Sequence, residues 1–170
     1  MNSYRNPAVM AVGLMTAAAL LTTPLSALAA GKGLEGVWKV TDVVVTGANP
    51  ITNPKPQASV YIFTHGHYSQ VADTSREPRT SVTFKDPASP TDAEKLAKYQ
   101  EWAPFGAQAG TYELKGATLI RHPIVAKNVA ALTPPGESEI KITGDTLVMV
   151  SKAPAGQPAR EQRLTLTRVP

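Results

Sequence analysis

Two histidines separated by a single glycine, His65 and His67, are the first residues here whose type and spacing suggest chemistry. Imidazole nitrogens bind zinc, and a catalytic zinc ion usually has three protein ligands. No third histidine or carboxylate lies close to this pair in the sequence, although His122 could approach it in the folded chain. Gly66, between the two histidines, is typical of a hairpin turn that needs a positive φ. We therefore predict a turn at His65, a strand that begins at His67, and neither a metal site nor a cofactor.

Four other side chains combine a ring with a polar atom and lie in segments predicted as strands. A ring of this kind that faces a pocket supplies apolar area and one hydrogen-bonding group to orient a ligand. The alternative is that some of these rings face solvent or fill the core, and for His122, followed by Pro123, a structural role is the main alternative. The four candidates are Tyr61, Tyr68, Tyr112 and His122.

No sequence motif for catalysis stands out. The chain has no nucleophile elbow, no phosphate-binding loop and no pair of carboxylates on a convincing scaffold. Strand alternation would put Asp42 on the same side as Trp38 unless a β-bulge intervenes. Because an unpaired buried charge costs several kcal/mol, either a bulge turns Asp42 outward, which we expect, or its carboxylate meets a cation or a hydrogen-bond donor of the ligand.

Composition excludes several classes of protein. The formal net charge is +4, and lysine and arginine form no run, so a dedicated nucleic-acid surface is not expected. There is no cysteine, which excludes disulfides and thiolate metal sites.

The N-terminus has the pattern of a secretory signal peptide. Arg5 precedes an uncharged apolar run over residues 8–21, and Ala27-Leu28-Ala29 has small residues where signal peptidase reads them. The run is shorter than the roughly 20 residues that span a bilayer. We predict cleavage near Ala29, a periplasmic or secreted location without stable membrane insertion, and one domain over residues 30–170.

The remainder of the chain is predicted to form short strands separated by turns. Eight to ten such strands, joined mostly as hairpins, predict an all-β fold, an up-and-down antiparallel barrel with room for one small ligand. The proline-rich segment 46–56 is expected to be irregular. The predicted strands are 37–45, 58–64, 67–72, 79–84, 110–114, 117–121, 140–143, 146–150 and 163–169.

One segment has helical rather than strand periodicity. Ser89 is a suitable N-cap, proline follows it, and apolar residues then recur at three- and four-residue spacing, which predicts a helix over 90–103. Tyr99, Trp102 and Phe105 are expected either to cover the mouth of the barrel or to seal the helix against its wall.

Several short motifs, taken in order, resemble the bacterial lipocalin-like domain family of calycin-type β-barrels. They are Gly36-Val37-Trp38, Phe63-Thr64-His65-Gly66-His67-Tyr68-Ser69, Gly110-Thr111-Tyr112, His122 and Gly144-Asp145-Thr146-Leu147. The resemblance covers nearly all of residues 33–170. It implies a barrel whose closed end is plugged by Trp38 and, for most members, no established reaction.

These observations predict an exported protein that binds a small apolar or amphipathic molecule by burying it in the barrel. The predicted ligand-binding residues are Trp38, Tyr61, Tyr68, Tyr112, His122 and Trp102. One alternative is a small isomerase or cyclase, in which His122 or Asp42 moves a proton while Tyr68 or Tyr112 polarises a carbonyl. Another is an envelope protein with an interaction surface and no pocket. The sequence favours binding over catalysis.

Overall fold

Antiparallel strands dominate the computed structural model, which describes residues 33–170. The predicted signal peptide, residues 1–29, lies outside the described residues. The strands are β1 (Gly36–Gly47), β2 (Ile51–Asn53), β3 (Ser59–Thr64), β4 (His67–Asp73), β5 (Phe105–Lys115), β6 (Thr118–Ala126), β7 (Gly136–Thr143), β8 (Thr146–Lys152) and β9 (Arg160–Val169). Helix α1 (Asp92–Trp102) joins β4 to β5, and a 3-10 helix (Val129–Leu132) lies between β6 and β7.

Eight of the strands form a closed barrel. Each strand from β3 to β8 pairs with the next one along the chain, β3 also pairs with β1, and β9 returns to pair with β1. All of these pairings are antiparallel, which confirms the predicted up-and-down barrel. Within residues 33–170, no helix is both long and apolar enough to cross a membrane.

The two ends of the barrel differ in their connections. Tight turns join β3 to β4, β5 to β6 and β7 to β8 at one end, whereas the longer connections all lie at the other end. In the first turn His65 and Gly66 have φ angles of 46° and 77°, and β4 begins at His67, as predicted. We call the end with the tight turns the closed end and the other the open end.

A β-bulge in β1 decides which of its residues face the interior. The register with β9 shifts between Val40 and Asp42. Trp38 and Val40 belong to the core before the shift, and Val43 packs against the same core after it. The bulge therefore turns Asp42 to the outer face, as expected for a carboxylate without a buried partner.

Large apolar side chains fill the closed half of the barrel. Trp38, Phe63, Leu119, Leu147 and Leu166 are all exposed by 1% or less. The indole Nε1 of Trp38 donates a hydrogen bond of 2.7 Å to the backbone oxygen of Leu34, so its polar atom is satisfied. This half of the interior is a packed core.

The predicted strand over residues 79–84 is wrong. That segment is irregular, and its backbone bonds to side chains of α1 instead of to a strand. The amide of Val82 donates to the carboxylate of Glu101 at 2.7 Å, and the ammonium group of Lys98 donates to the Val82 oxygen at 3.1 Å. The barrel closes without this segment, so its β-branched residues find no strand edge to join.

The prediction that residues 46–56 are irregular is wrong at β2. Strand β3 pairs with β1 only through Lys39, which leaves the edge of β1 free from Val43 to Val45. The segment Ile51–Asn53 pairs with that free edge and satisfies its backbone groups.

Helix α1 begins later than predicted, and its N-cap is Thr91 rather than Ser89. The Thr91 hydroxyl accepts from the Glu94 amide, and the Glu94 carboxylate accepts from the Thr91 amide at 2.8 Å. This reciprocal pair is a capping box, which Ser89 lacks. The apolar stripe of the helix faces solvent: Leu96 is 56% and Tyr99 70% exposed.

Candidate ligand-binding cavity

A cavity of about 730 Å³ lies at the open end, above the packed half of the barrel. Inward-facing side chains of β4 to β9 form its floor: Tyr68, Gln108, Arg121, Ser138, Ser151 and Gln162. Its apolar wall comes from the connections at the open end and includes Ala131, Pro134, Pro135 and Ala153. An adjoining cavity of about 490 Å³ shares Ser151, Lys152 and Gln162 with it.

Strand alternation explains why polar residues line this half of the barrel. On β7, Ser138 shares a face with Ile140 and Ile142, which pack against the core. On β9, Gln162 shares a face with Leu164 and Leu166. Along β7 and β9 the inward residues therefore change from apolar to polar towards the open end.

The cavity opens sideways because two neighbouring strands separate. Strands β6 and β7 pair only through residues 118–121 and 136–139, although β6 continues to Ala126. Residues of the connection that follows β6 cover the gap. Glu137 and Glu139 alternate with the buried Ser138, so they are exposed at the outer lip, where Glu139 accepts a hydrogen bond of 2.7 Å from the Thr118 hydroxyl.

Arg121 is the charged residue at the centre of the cavity floor. Its Nη1 donates to Oε1 of Gln70 at 2.9 Å, and its Nη2 lies 3.5 Å from Oγ of Ser138, the long limit of a hydrogen bond. The guanidinium lies 5.9 Å from the centre of the Tyr68 ring. The Nε atom of Arg121 and the hydroxyl oxygen of Tyr68 are both buried without a hydrogen-bond partner among the described residues.

The tyrosines beside Arg121 remain protonated. Burial raises the pKa of Tyr61 and of Tyr68, and the nearby Arg121 guanidinium offsets part of each rise. A pKa above its usual value of about 10 keeps both hydroxyl groups neutral near neutral pH. Each hydroxyl therefore keeps the proton with which it can donate a hydrogen bond.

Of the six predicted site residues, Tyr68 lines this cavity. Trp38 and Tyr61 are buried in the core, and Tyr61 lies 6.3 Å from Phe63 in a stacked pair. Tyr112 packs against the same core, with its ring edge-on to Phe63 at 5.3 Å. These three rings belong to the packed interior below the cavity.

His122 and Trp102 lie outside the barrel interior. His122 pairs with Thr111 on the outer face, is exposed, and has its Nε2 3.2 Å from Oε1 of Glu113. Trp102, which is 45% exposed, contacts Phe105 edge-on at 5.5 Å. Both side chains are therefore removed as candidates for contact with a ligand in the cavity.

The predicted isomerase or cyclase site does not form. His122 and Asp42 both lie on the outer face, whereas Tyr68 and Tyr112 face inward. A proton-transfer group has to come within hydrogen-bond reach of the reacting atoms, and these groups do not converge.

The two histidines of the β3–β4 turn make local contacts. The Nδ1 atom of His65 lies 2.8 Å from the Thr64 hydroxyl, and that of His67 lies 3.0 Å from the backbone oxygen of His65. Across residues 33–170, no group of three or more His, Cys, Asp or Glu side chains could hold a metal ion.

Arg121 and its polar neighbours were not predicted from the sequence. In β6, Leu119 shares a face with Arg121, but Ile120 on the opposite face is equally apolar. Alternation therefore cannot decide which face of β6 is inside. In β7 the signal is clearer, because Ser138, Ile140 and Ile142 alternate with charged residues.

No protein-family model matches the chain. No curated protein matches it. A crystal structure of an uncharacterized protein from Bacteroides eggerthii is similar at 8% sequence identity, over 79% of this chain and 98% of that chain, with a TM-score of 0.43. A similarity of this degree assigns neither a family nor an activity, so the lipocalin-like family stays a prediction.

Proposed function

We propose that this protein binds a small amphipathic molecule in the cavity at the open end of the barrel. The observation that carries the proposal is the division of the interior into a packed half and a cavity of about 730 Å³. Small-molecule sites typically have volumes of about 300–1,000 Å³ and combine an apolar wall with a few polar groups.

The ligand on this proposal is amphipathic rather than purely apolar. The alanines and prolines of the open-end connections offer an apolar wall, while the floor presents an arginine, two serines and two glutamines. Burial of an apolar ligand surface against the wall contributes about 25 cal/mol per Å² before the costs of association. The floor would orient the polar end of the ligand.

The proposal includes export. The signal-peptide pattern that ends at Ala29 supports a periplasmic or secreted location, where the protein would meet ligands from outside the cytoplasm. The cleavage position can be checked by mass measurement of the protein secreted by its own host.

A neutral fluorescent probe tests the binding proposal. N-phenylnaphthylamine should become fluorescent with the wild-type protein, and Gln162→Trp should abolish this response by filling the cavity from β9. Gln162 lines the cavity and has no side-chain hydrogen bond to another described residue, so its replacement breaks no network. Thr167→Trp, at an exposed position of the same strand, is the matched control and should retain the response. Equal responses from both variants would show that the probe binds elsewhere and would contradict the proposal.

A further inference from the structure

The cavity floor offers more hydrogen-bond donors than acceptors. Arginine carries five N–H donors and no acceptor. Gln70 Oε1 already accepts from both Arg121 and Gln108, the latter at 2.8 Å, and the hydroxyl groups of Ser138 and Ser151 are 2.7 Å apart. The Nε of Arg121 and the hydroxyl of Tyr68 are both buried without a partner among the described residues, and both residues line the cavity. A ligand with hydrogen-bond acceptors would supply partners for these surplus donors.

The other arginine of the barrel interior shows how this chain satisfies a guanidinium. Arg168 donates to the backbone oxygens of Glu35 and Gly33 at 2.6 Å each, and its Nε lies 3.4 Å from a carboxylate oxygen of Asp145. Arg121 has neutral side-chain partners at longer distances and forms no ion pair with any residue between 33 and 170. The half-buried positive charge of Arg121 therefore has no counter-charge among the described residues.

The other charges around the cavity leave this imbalance in place. Lys152 also lies at the rim, but it is exposed on the outer face of β8. Glu137 and Glu139 line the outer lip, but they project from the opposite face of β7 to Ser138, which lies beside Arg121. Asp73, at the end of β4, does not line the cavity and is paired with Arg79 at 2.6 Å.

We infer that the ligand carries a carboxylate, bound by the guanidinium of Arg121 and the hydroxyl of Tyr68, with its apolar part against the prolines of the open end. The inference rests on the proposed function and specifies the chemical class of its ligand. A single planar guanidinium matches the two oxygens of a carboxylate. A dianionic phosphate would leave more charge unpaired at a floor that holds one cation.

Three probes with the same apolar chain and different head groups test this inference on the wild-type protein. Octanoate, octanol and octylammonium are titrated separately, and dissociation constants are taken from heteronuclear NMR. Octanoate should bind at least about tenfold more tightly than octanol, since charge-assisted hydrogen bonds exceed neutral ones. Octylammonium should bind most weakly, and octanoate should shift the Nε–H resonance of Arg121.

A pair of variants with the same change in net charge identifies the responsible residue. Arg121→Gln should reduce the preference for octanoate over octanol to about onefold, because the charge that selects the carboxylate is gone. Arg163→Gln, at an exposed and outward position of β9, should keep the wild-type preference. If Arg121→Gln does not fold, the comparison of the three probes on the wild-type protein still tests the inference.

The outcomes separate the two proposals. If octanol binds as tightly as octanoate, the carboxylate inference is overturned while the binding function stands. If octanoate is preferred but Arg163→Gln abolishes the preference as fully as Arg121→Gln, general surface charge is responsible and the inference is again overturned. If none of the three probes binds and N-phenylnaphthylamine also fails, both proposals are overturned.

Discussion

The guanidinium carbon of Arg168 lies 4.1 Å from the centre of the Trp38 ring, at the closed end of the barrel. The two residues come from the last and first strands of the barrel and are direct partners in the β1–β9 pairing. A guanidinium on an indole face combines cation–π attraction with stacking. Arg168 covers the completely buried Trp38. It also links the β1–β9 pairing, which closes the barrel, to the segment that precedes β1.

Replacing Arg168 should therefore destabilise the protein strongly. Arg168→Met loses the cation–π contact and two charged hydrogen bonds to backbone oxygens, so we expect a loss of about 2–3 kcal/mol in unfolding free energy. Urea unfolding measures the change. Arg163→Met, at an exposed site of β9, is the control and should stay within about 0.5 kcal/mol of wild type. Equal losses in the two variants would contradict a stabilising role for the Arg168–Trp38 pair.

Gly110 is required for the close approach of β5 and β6. A Cβ atom at this position would lie 2.0 Å from the backbone oxygen of His122, and a backbone atom cannot move aside as a side chain can. Gly110→Ala should cost about 3 kcal/mol of unfolding free energy. In Gly106→Ala, on the same strand, the new Cβ would lie 3.8 Å from its nearest neighbour, the oxygen of Ala72. Thermal unfolding of both variants checks the prediction, which fails if the two melt together.

Tyr68→Phe should make the protein more stable and weaken its binding of octanoate. The Tyr68 hydroxyl is buried without a protein partner, so its removal relieves a desolvation cost and should raise the unfolding free energy by about 1 kcal/mol. The same change removes a donor to the ligand carboxylate and should weaken octanoate binding. Tyr99→Phe, at a ring that is 70% exposed, should alter neither property. A less stable Tyr68→Phe protein would mean that the hydroxyl has a partner in solution.

The Asp73–Arg79 pair should make stability depend on pH. Burial raises the pKa of Asp73, but hydrogen bonds from Ser75 and Arg79 outweigh it and hold the pKa below its usual value. The stabilisation is therefore complete above the unfolded-state pKa of about 4 and is lost as the pH falls through the lower folded-state pKa. Asp73→Asn should be less stable near neutral pH and lose less stability on acidification.

Urea unfolding between neutral and acidic pH tests this dependence on Asp73. Asp42→Asn is the control, because Asp42 lies on the outer face of β1 without a hydrogen-bond or ion-pair partner among the described residues. Parallel acid profiles for wild type and Asp73→Asn would contradict the proposed role of the pair.

The architecture was predictable because its signals are local. Glycine turns such as His65-Gly66 and Gly144-Asp145 follow from backbone conformation alone, and each fixes a hairpin and its register. The bulge at Asp42 was expected from the cost of burying a carboxylate. The strand predicted over residues 79–84 failed because strand propensity does not say whether a partner edge is available.

The cavity was harder to predict because its residues depend on contacts across the barrel. Three of the predicted aromatic rings, those of Trp38, Tyr61 and Tyr112, belong to the packed half, since large apolar surfaces are buried first. Arg121 is a candidate because of its contacts with Gln70 and Ser138. Both are distant from it in sequence and reach it only through the strand order. No local sequence pattern shows that the Nε atom of Arg121 lacks a hydrogen-bond partner.

The pairing of β1 with β9, which closes the barrel, also determines when the molecule can fold. These strands pair along nearly their whole length, from Val37 with Val169 to Gly47 with Arg160. Because contacts between such distant residues carry a high entropic cost of loop closure, they form slowly. The first strand has no permanent neighbour on this side until synthesis has reached the last one. Strand β9 must therefore be synthesised before the barrel can close, and loss of β9 alone would leave Trp38 uncovered.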